Sequence, residues 1–228
     1  MKFLLLFVFL FSCSEKKSDY FPLKKIKSWT YSVEIIPEVE KKILYKKTNT
    51  SLGERKIKVE GKEKSVFPVV REDGTTFYYE ISNDGVYRKG VRYLKDKKIS
   101  FDKKRLVLPK PVKLDKKWSN DSKTFLILRR YPYYDYKATT NFEINYEITS
   151  VNQSIKTPYG TFNDCILVEG VGQTNFIGDS EIGSIGIKIK SQEWYSRKIG
   201  LVKMIREEAT DTDLFGTTRM IQLLETYE

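Results

Sequence analysis

Hydrophobic residues alternate with polar ones over much of this chain. In Glu143–Val151, the apolar residues Ile144, Tyr146 and Ile148 fall on one side, and charged or amide residues fall on the other. Successive side chains of a strand point to opposite faces, so this period of two predicts a half-buried β-strand. The same alternation is found in two further segments, Arg55–Gly61 and Ile185–Lys190.

Turn signals separate the predicted strands. Asp73-Gly74 and Asp84-Gly85 enclose the segment TTFYYEISN, which predicts one strand between two hairpin turns. No window of a dozen residues carries a helical stripe, and only Ser100–Leu106 and the TDTDLFG segment are expected to hold a short helical turn. The prediction is an all-β fold, an antiparallel sandwich or a partly closed half-barrel with little helix.

The N-terminus departs from this pattern. Phe3–Phe11 is an apolar run of nine residues, too short for the roughly 20 of a spanning helix and typical of a signal-peptide core. The sequence LFSC at Leu10–Cys13 resembles the lipobox of bacterial lipoproteins. We therefore expect residues 1–12 to be a signal peptide and Cys13 to be acylated. A plain secretory signal and an uncleaved amphipathic start are the alternatives.

The expected anchor places the rest of the chain near a membrane. Residues 13–19 form the lipidated cysteine and a polar tether, whose six residues after Cys13 reach at most about 20 Å. Ser14 stands where an Asp would resemble an inner-membrane retention signal. The predicted location is the cell envelope, on the outer membrane facing the periplasm, with the membrane as the first partner.

The remainder, 20–228, is predicted to be a single β domain, with ample length for a core. The sequence PLKKIKSW at Pro22–Trp29 returns as PVKLDKKW at Pro111–Trp118. Two related halves, 20–108 and 109–228, would explain this echo. A local device, in which Pro sets the strand entry and Trp closes one end of the core, would explain it equally well.

The net charge of +11 changes the list of partners little. Of the 41 basic residues, 31 are Lys, whereas bidentate phosphate recognition favours Arg and scattered Lys is typical of soluble surfaces and sheet edges. Nucleic acid is not an expected partner. Contact with anionic lipid headgroups stays open.

Several classes of chemistry are excluded or disfavoured by composition. The chain has no His, which removes Ser-His-Asp and Cys-His systems and the commonest zinc sites. With Cys13 acylated, Cys165 is the last thiol, and its apolar neighbours predict a buried core cysteine and no disulfide. We predict no catalytic residue, no metal and no cofactor. Carboxylate pairs such as Glu207–Glu208 are common on exposed turns.

Two segments are candidates for binding. Arginine and tyrosine, which anchor interfaces at low cost in side-chain entropy, are concentrated around Pro132: the candidate surface is Arg129, Arg130, Tyr131, Tyr133, Tyr134 and Tyr136. It would suit an envelope protein, a glycan or an anionic lipid, and the alternative is a Pro-turned hairpin tip that covers the sheet edge. The preceding apolar strand, buried on both sides or lining a cavity, is formed by Phe125, Leu126, Ile127 and Leu128.

Four further motifs occur in order along the chain: YFPLKKIKSWTY, LPKPVKLDKKW, KTPYGTFNDC and EWYSRKIGLVK. Together they resemble a broad group of bacterial envelope lipoproteins that carries no assigned activity. The resemblance implies an all-β fold similar to periplasmic lipid or lipoprotein carriers with half-barrel sheets. It implies a structural role for Trp29, Trp118, Gly160, Phe162, Cys165, Trp194 and Gly200. Arg197-Lys198 stands where Pro-Gly is usual, which predicts a reshaped hairpin before Ile199, and Ile26 stands where Gly is usual.

Two functions follow as hypotheses. The preferred one is a lipid-anchored, non-catalytic interaction domain that holds an envelope partner. The alternative is a carrier of an acyl chain or other apolar ligand on a concave half-barrel. Catalysis ranks well below both.

Overall fold

The computed structural model describes residues 19–59, 62–130, 135–178 and 183–228. Strands are the regular elements of these residues, and none of them lies in a helix. The first seven strands are β1 Ile26–Pro37, β2 Ile43–Leu52, β3 Arg55–Val59, β4 Lys62–Arg71, β5 Thr76–Ile81, β6 Gly85–Arg92 and β7 Ser100–Pro109. The remaining eight are β8 Lys117–Lys123, β9 Leu128–Arg130, β10 Asp135–Lys137, β11 Asn141–Lys156, β12 Thr161–Ile177, β13 Ser184–Ser196, β14 Gly200–Thr210 and β15 Thr217–Tyr227. In the part of the chain that the structure describes, no helix is long and apolar enough to cross a bilayer.

Thirteen strands form one antiparallel sheet, which confirms the predicted all-β fold. Its order is β7-β6-β5-β4-β2-β1-β15-β14-β13-β12-β11-β8, and β3 pairs with β4 beside this path. β9 and β10 form a separate hairpin. The strand expected between the two Asp-Gly turns is β5, and the alternating segment Glu143–Val151 lies within β11.

The chain enters the sheet in two successive groups of strands. Strands β1–β7 form one side of the sheet, β8 and β11–β15 form the other, and the two sides meet where β1 pairs with β15. Trp29 lies in the first strand of one side and Trp118 in the first strand of the other. An evolutionary relation between these halves stays a prediction.

One face of the sheet, here called the inner face, carries much of the core. It includes Trp29, Tyr31 and Val33 of β1 and Ile144 and Ile148 of β11, each at most 5% exposed. The strand period of two places these residues on one side, and each fully buried aliphatic or aromatic side chain stabilises the fold by about 1.5–3 kcal/mol. Interior packing therefore holds the curved sheet together.

The two end strands of the sheet, β7 and β8, lie beside each other without a backbone ladder. Side chains bridge them instead. Asn120 Nδ2 donates to the Leu106 carbonyl oxygen at 2.7 Å, and an Arg105 guanidinium nitrogen donates to the Asp121 carbonyl oxygen at 2.6 Å. The sheet therefore curls almost into a ring whose last seam is made by side chains. Of the two predicted architectures, the partly closed half-barrel describes it better than a sandwich.

Of the two suggested helical turns, the one at Ser100–Leu106 was wrong. Ser100–Leu106 belongs to β7, because its backbone groups pair with β6, with Phe101 opposite Gly90 and Arg105 opposite Arg88. The TDTDLFG segment connects β14 and β15 and contains one short turn with the helical i→i−4 hydrogen bond, from Gly216 N to Thr212 O, as suggested. A second hydrogen bond, from Thr210 N to Gly216 O, closes the connection.

Candidate ligand site on the inner face

A cavity of about 200 Å³ opens on the inner face beside β1, β2, β4 and β15. We call it the inner cavity. Its wall is largely aromatic: Phe21, Trp29, Tyr31, Phe77, Tyr79 and Tyr195. Phe21 packs against Tyr79 and Tyr195, with ring centroids 5.3 Å and 6.4 Å apart. Such a wall suits an apolar or aromatic ligand body.

Two hydrogen bonds hold the wall to the hairpin between β13 and β14. Trp29 Nε1 donates to the Ile199 carbonyl oxygen at 2.6 Å, and the Tyr31 hydroxyl donates to the Leu201 carbonyl oxygen at 3.1 Å. Burial, and secondarily the neighbouring Tyr79, raises the pKa of Tyr31 well above its usual value. The Tyr31 hydroxyl is therefore a neutral donor at physiological pH.

The segment before β1 closes one side of the inner cavity. Tyr20 and Leu23 are buried, while Phe21 and Pro22 line the cavity. The Lys198 amide donates to the Asp19 carbonyl oxygen at 2.7 Å, and Arg197 Nε donates to the Tyr20 hydroxyl at 2.9 Å. The start of the folded domain is thus fixed against the same hairpin that the wall contacts.

Four polar residues enter this aromatic cavity: Lys47, Asn49, Arg71 and Gln222. Strand register brings them together. Tyr31 lies opposite Lys47, and Asn49 lies opposite both Trp29 and Arg71. Opposed residues have Cβ atoms about 4.5–5.5 Å apart, so three polar side chains project side by side from β2 and β4.

The Lys47 ammonium is in an unfavourable place for a charge. Its Nζ donates to Gln222 Oε1 at 3.0 Å. Burial lowers the pKa of Lys47 from 10.5 to about 8, Arg71 lowers it further, and Glu72, Glu193 and Asp73 partly oppose both. A half-buried cation beside a second cation is a combination found at functional sites.

Arg71 is also without an acidic partner among the described residues. Its guanidinium carbon lies 5.0 Å from the ring centroid of Phe77, a cation–π contact. Within the described ranges the guanidinium makes no hydrogen bond or ion pair. Its planar donors are available to an oxyanion, which Arg binds through two parallel hydrogen bonds.

Two buried polar atoms of the inner cavity lack a hydrogen-bond partner in the described part of the chain. They are Asn49 Oδ1 and Gln222 Nε2, and the Gln222 side chain is 1% exposed. Leaving such an atom unpaired costs about 1–3 kcal/mol. A polar group of a bound ligand would pair with such an atom and remove this cost.

The inner face continues into a second hollow. A groove of about 620 Å³ is lined by residues that include Ile35, Ile43, Tyr45, Phe125, Leu126 and Met220. Met220 and Gln222 are two residues apart on β15 and therefore point to the same face of the sheet, as Tyr45 and Lys47 do on β2. The groove and the inner cavity thus lie next to each other along one face.

The predicted apolar strand Phe125–Leu128 lies partly in this groove. Phe125 and Leu126 line it, Ile127 is buried in the core, and the Leu128 side chain lies outside the described residues. The strand prediction was wrong for Phe125–Ile127, since β9 begins only at Leu128. The amides of Phe125 and Leu126 donate to the Glu208 carboxylate at 2.9–3.2 Å and not to a neighbouring strand.

A buried ion pair holds this segment over the sheet. Glu208 is 0% and Arg206 4% exposed, and their closest side-chain atoms are 2.8 Å apart. Arg206 also donates to the Lys123 carbonyl oxygen at 3.0 Å and lies 4.5 Å from the Phe125 ring centroid. Glu207 and Glu208 point to opposite faces of β14, so their carboxylates do not act as a pair. Glu208 has a structural role, because it pairs with Arg206 and accepts hydrogen bonds from the Phe125 and Leu126 amides.

The Arg- and Tyr-rich candidate surface lies almost wholly outside the description. Arg129 and Arg130 are in β9 and Tyr136 is in β10, which pair in an antiparallel hairpin, but their side chains are not described. Tyr131, Tyr133 and Tyr134 lie outside the described residues, as does the acylation position Cys13.

The residues expected to be structural occupy packing or turn positions. Trp118 stacks on Tyr146 at 5.4 Å between ring centroids, and Phe162 stacks on Tyr159 at 6.1 Å. Trp194 Nε1 donates to Gln153 Oε1 at 2.7 Å. The turn at Gly160 is closed by paired backbone hydrogen bonds with Thr157.

Cys165 and Gly200 complete this set. Cys165 is 0% exposed, and burial raises the pKa of its thiol to about 12, so the reactive thiolate is scarce. Gly200 has φ of 94° and follows a three-residue turn in which Lys198 also has a positive φ of 65°. The sequence predicted a reshaped hairpin here, because Arg197-Lys198 stands where Pro-Gly is usual. In this hairpin Lys198 has the left-handed backbone conformation.

Sequence reasoning missed the four polar residues of the inner cavity. In β2, Lys47 and Asn49 were indistinguishable from a solvated strand face. One sequence signal could have indicated the site: Gln222 is a polar residue between Met220 and Leu224 on the same, otherwise apolar, face of β15.

A further hollow of about 960 Å³ crosses β8 and β11–β15. Its charged lining residues have both signs, Lys117, Glu147, Glu169, Lys190, Glu207 and Arg219. It is an open surface of mixed charge, and two of its lining residues, Trp118 and Thr149, also have a buried polar atom without a partner among the described residues. The inner cavity differs from it in its aromatic wall and in having Lys47 and Arg71 as its charged lining residues.

No model of a known protein family matches the chain, and no curated protein matches it. Two solved structures are similar over 92% of this chain and 99% of their own. One is a candidate lipoprotein from Parabacteroides distasonis, with 15% identity and a TM-score of 0.43. The other is a candidate exported protein with a YmcC-like fold from Bacteroides fragilis, with 13% identity and a TM-score of 0.40. Both likenesses are distant, and no property of those proteins is carried over to this chain.

Proposed function

We propose that this chain is a lipid-anchored envelope lipoprotein whose β domain carries an apolar ligand in the inner cavity. The observation that carries the proposal is the aromatic cavity with its two unpaired buried polar atoms, Asn49 Oδ1 and Gln222 Nε2. Buried polar atoms of a native fold are usually paired, so these two atoms are candidates for contact with the polar group of a ligand. The adjoining groove at Phe125 and Leu126 gives a longer ligand room to extend.

The anchor part of the proposal rests on the lipobox at Leu10–Cys13. Two or three acyl chains on Cys13 give a stable membrane attachment, and Ser14 favours the outer membrane facing the periplasm. Labelling cells with radioactive palmitate tests this: Cys13→Ala should lose the label and the membrane fraction, and Cys165→Ala should keep both. Equal labelling of the two variants would contradict acylation at Cys13.

Native mass spectrometry tests the carrier function. The Ser14–Glu228 body contains every described strand and is purified from a bacterial envelope without detergent. We expect a reproducible added mass that dissociates as a lipid or another apolar molecule. Val69→Phe fills the cavity wall and should remove that mass, whereas Val171→Phe, on an exposed side chain, should keep it. A bare protein mass in all three proteins would contradict the carrier function.

The interaction hypothesis makes a different prediction. If residues 129–137 hold an envelope protein or glycan, replacing Arg129 and Arg130 by Gln should abolish capture of that partner and leave the added mass unchanged. The proposed non-catalytic role is common to both hypotheses.

A further inference from the structure

We propose that the inner cavity recognises the anionic group, a carboxylate or a phosphate, of an otherwise apolar ligand, with Lys47 and Arg71 as the charge partners and Gln222 as a further donor. This inference rests on the proposed carrier function and specifies its ligand class.

Two positive charges are placed together in the inner cavity. Lys47 and Arg71 line one cavity of about 200 Å³, and Lys47 donates only to a neutral amide oxygen. Two cations in one half-buried site repel each other. An anion bound between them attracts both and offsets this repulsion.

The nearby acidic side chains accept hydrogen bonds from other groups. Glu72 accepts a hydrogen bond from the Thr48 amide at 2.9 Å, and Asp73 accepts one from the Thr75 amide at 2.8 Å. Glu193 accepts hydrogen bonds from the Tyr195 and Ser191 hydroxyls. These carboxylates weaken the positive field at the cavity, but none of them forms an ion pair with Lys47 or Arg71.

The unpaired hydrogen-bond groups of the inner cavity match those of an anionic ligand. Gln222 Nε2 is a buried donor without an acceptor, and it belongs to the amide whose oxygen already holds Lys47. An oxyanion beside Lys47 would supply the missing acceptor. Asn49 Oδ1 offers an acceptor to a hydroxyl or N–H group of the same ligand.

The cavity that Lys47 and Arg71 line also has an aromatic side, where Phe21 packs against Tyr79 and Tyr195. Aromatic surface beside two cations favours a ligand with an apolar body over a hydrated free ion.

Photo-crosslinking of the full acylated protein in lipid nanodiscs tests the inference. The probe is octanoate carrying a diazirine at its far end, and labelled peptides are identified by mass spectrometry. Octanoate, octyl phosphate and octanol compete against it. We expect labelling of the cavity wall, with octanoate or octyl phosphate at least tenfold better than octanol as a competitor. The stronger of the two anions distinguishes a carboxylate from a phosphate ligand.

Variants identify the charge partners. Lys47→Gln and Arg71→Gln should each reduce labelling by the octanoate probe about tenfold. Lys47→Arg, which keeps the positive charge, should retain most of the labelling. Lys46→Gln, on the exposed neighbour of Lys47, should have no effect. Melting curves verify that each variant is folded, and Lys47→Arg keeps the test decisive if Lys47→Gln does not fold.

Two results would overturn the inference. Equal competition by octanol and octanoate, with unchanged labelling of Lys47→Gln and Arg71→Gln, would show an apolar carrier without anion recognition and would leave the proposed function intact. Absence of cavity labelling by the octanoate probe, while an octanol diazirine probe labels the wall, would have the same meaning. Failure of both probes would contradict the carrier function as well.

Discussion

The Asn120 side chain donates a 2.7 Å hydrogen bond to the carbonyl oxygen of Leu106, and this contact joins the two strands at which the sheet ends. Asn120 is 7% exposed, although it lies in an otherwise largely exposed strand. A seam made by side chains has fewer bonds than a backbone ladder. It is therefore the place where the nearly closed ring of strands is weakest.

Asn120→Ala should open this seam. The Leu106 carbonyl would lose its partner, and we expect the free energy of unfolding to fall by about 1–2 kcal/mol. Hydrogen exchange of the β7 and β8 amides should become faster. Ser119→Ala, on an exposed neighbouring side chain, is the control, and equal exchange in the two variants would contradict a role for the seam.

Glu208→Ala should be the more damaging change. It leaves the Arg206 charge buried without a partner and removes the acceptor of two amides in the segment over the sheet. We expect a loss of about 3–5 kcal/mol in denaturant unfolding. Glu207→Ala, on the opposite face of the same strand, should stay within about 0.5 kcal/mol. A loss below 1 kcal/mol for Glu208→Ala would refute the anchoring role.

Lys198→Gly should stabilise the protein. Lys198 has a φ of 65°, which costs a residue with a Cβ about 1–2 kcal/mol. Its hydrogen bonds to Asp19 and Tyr227 use backbone groups and would remain. After the greater chain entropy of Gly is subtracted, we expect a gain of about 0.5–1 kcal/mol in unfolding free energy. Lys190→Gly within β13 should have the opposite sign, and a loss at Lys198 would contradict the assignment of strain.

The stability difference between the wild type and Lys47→Met should depend on pH. The folded state lowers the pKa of Lys47 to about 8, while the unfolded state keeps it near 10.4. Between these values the unfolded state binds more protons, so the wild type should gain stability relative to Lys47→Met as pH rises from 8 to 10. Partial exposure of Lys47 limits the slope to about 0.5–1 kcal/mol per pH unit.

Denaturant unfolding at pH 7, 8, 9 and 10 measures this difference. The raised pKa values of Cys165 and Tyr31 act equally in both proteins and cancel. A difference that is constant across this range would show that Lys47 is not buried as described.

Much of the fold could be predicted because its strands are long and one-sided. Alternation identified β11, and paired Asp-Gly turns identified β5, since a strand with one wet face must show a period of two. β7 was harder: its basic segment carries no alternation, and only pairing with β6 makes it a strand.

The candidate site could not be predicted for a related physical reason. Lys47 and Arg71 are 24 positions apart in the sequence, and only the register of β2 with β4 makes them neighbours. A lysine on an inward face has the same local pattern as one on an outward face. Phe125 and Leu126 were correctly seen as an apolar segment, but the Glu208 carboxylate that orders their backbone lies in a distant strand.

The wall of the inner cavity and the expected anchor belong to one short piece of chain. Phe21 and Pro22 line the cavity, and Phe21 follows Cys13 by eight residues, which span at most about 30 Å. With Cys13 acylated, as proposed, the membrane surface stays within that distance of the cavity at all times. Lipid would therefore be present at the cavity at a high effective concentration, set by the tether and independent of how much protein the cell makes.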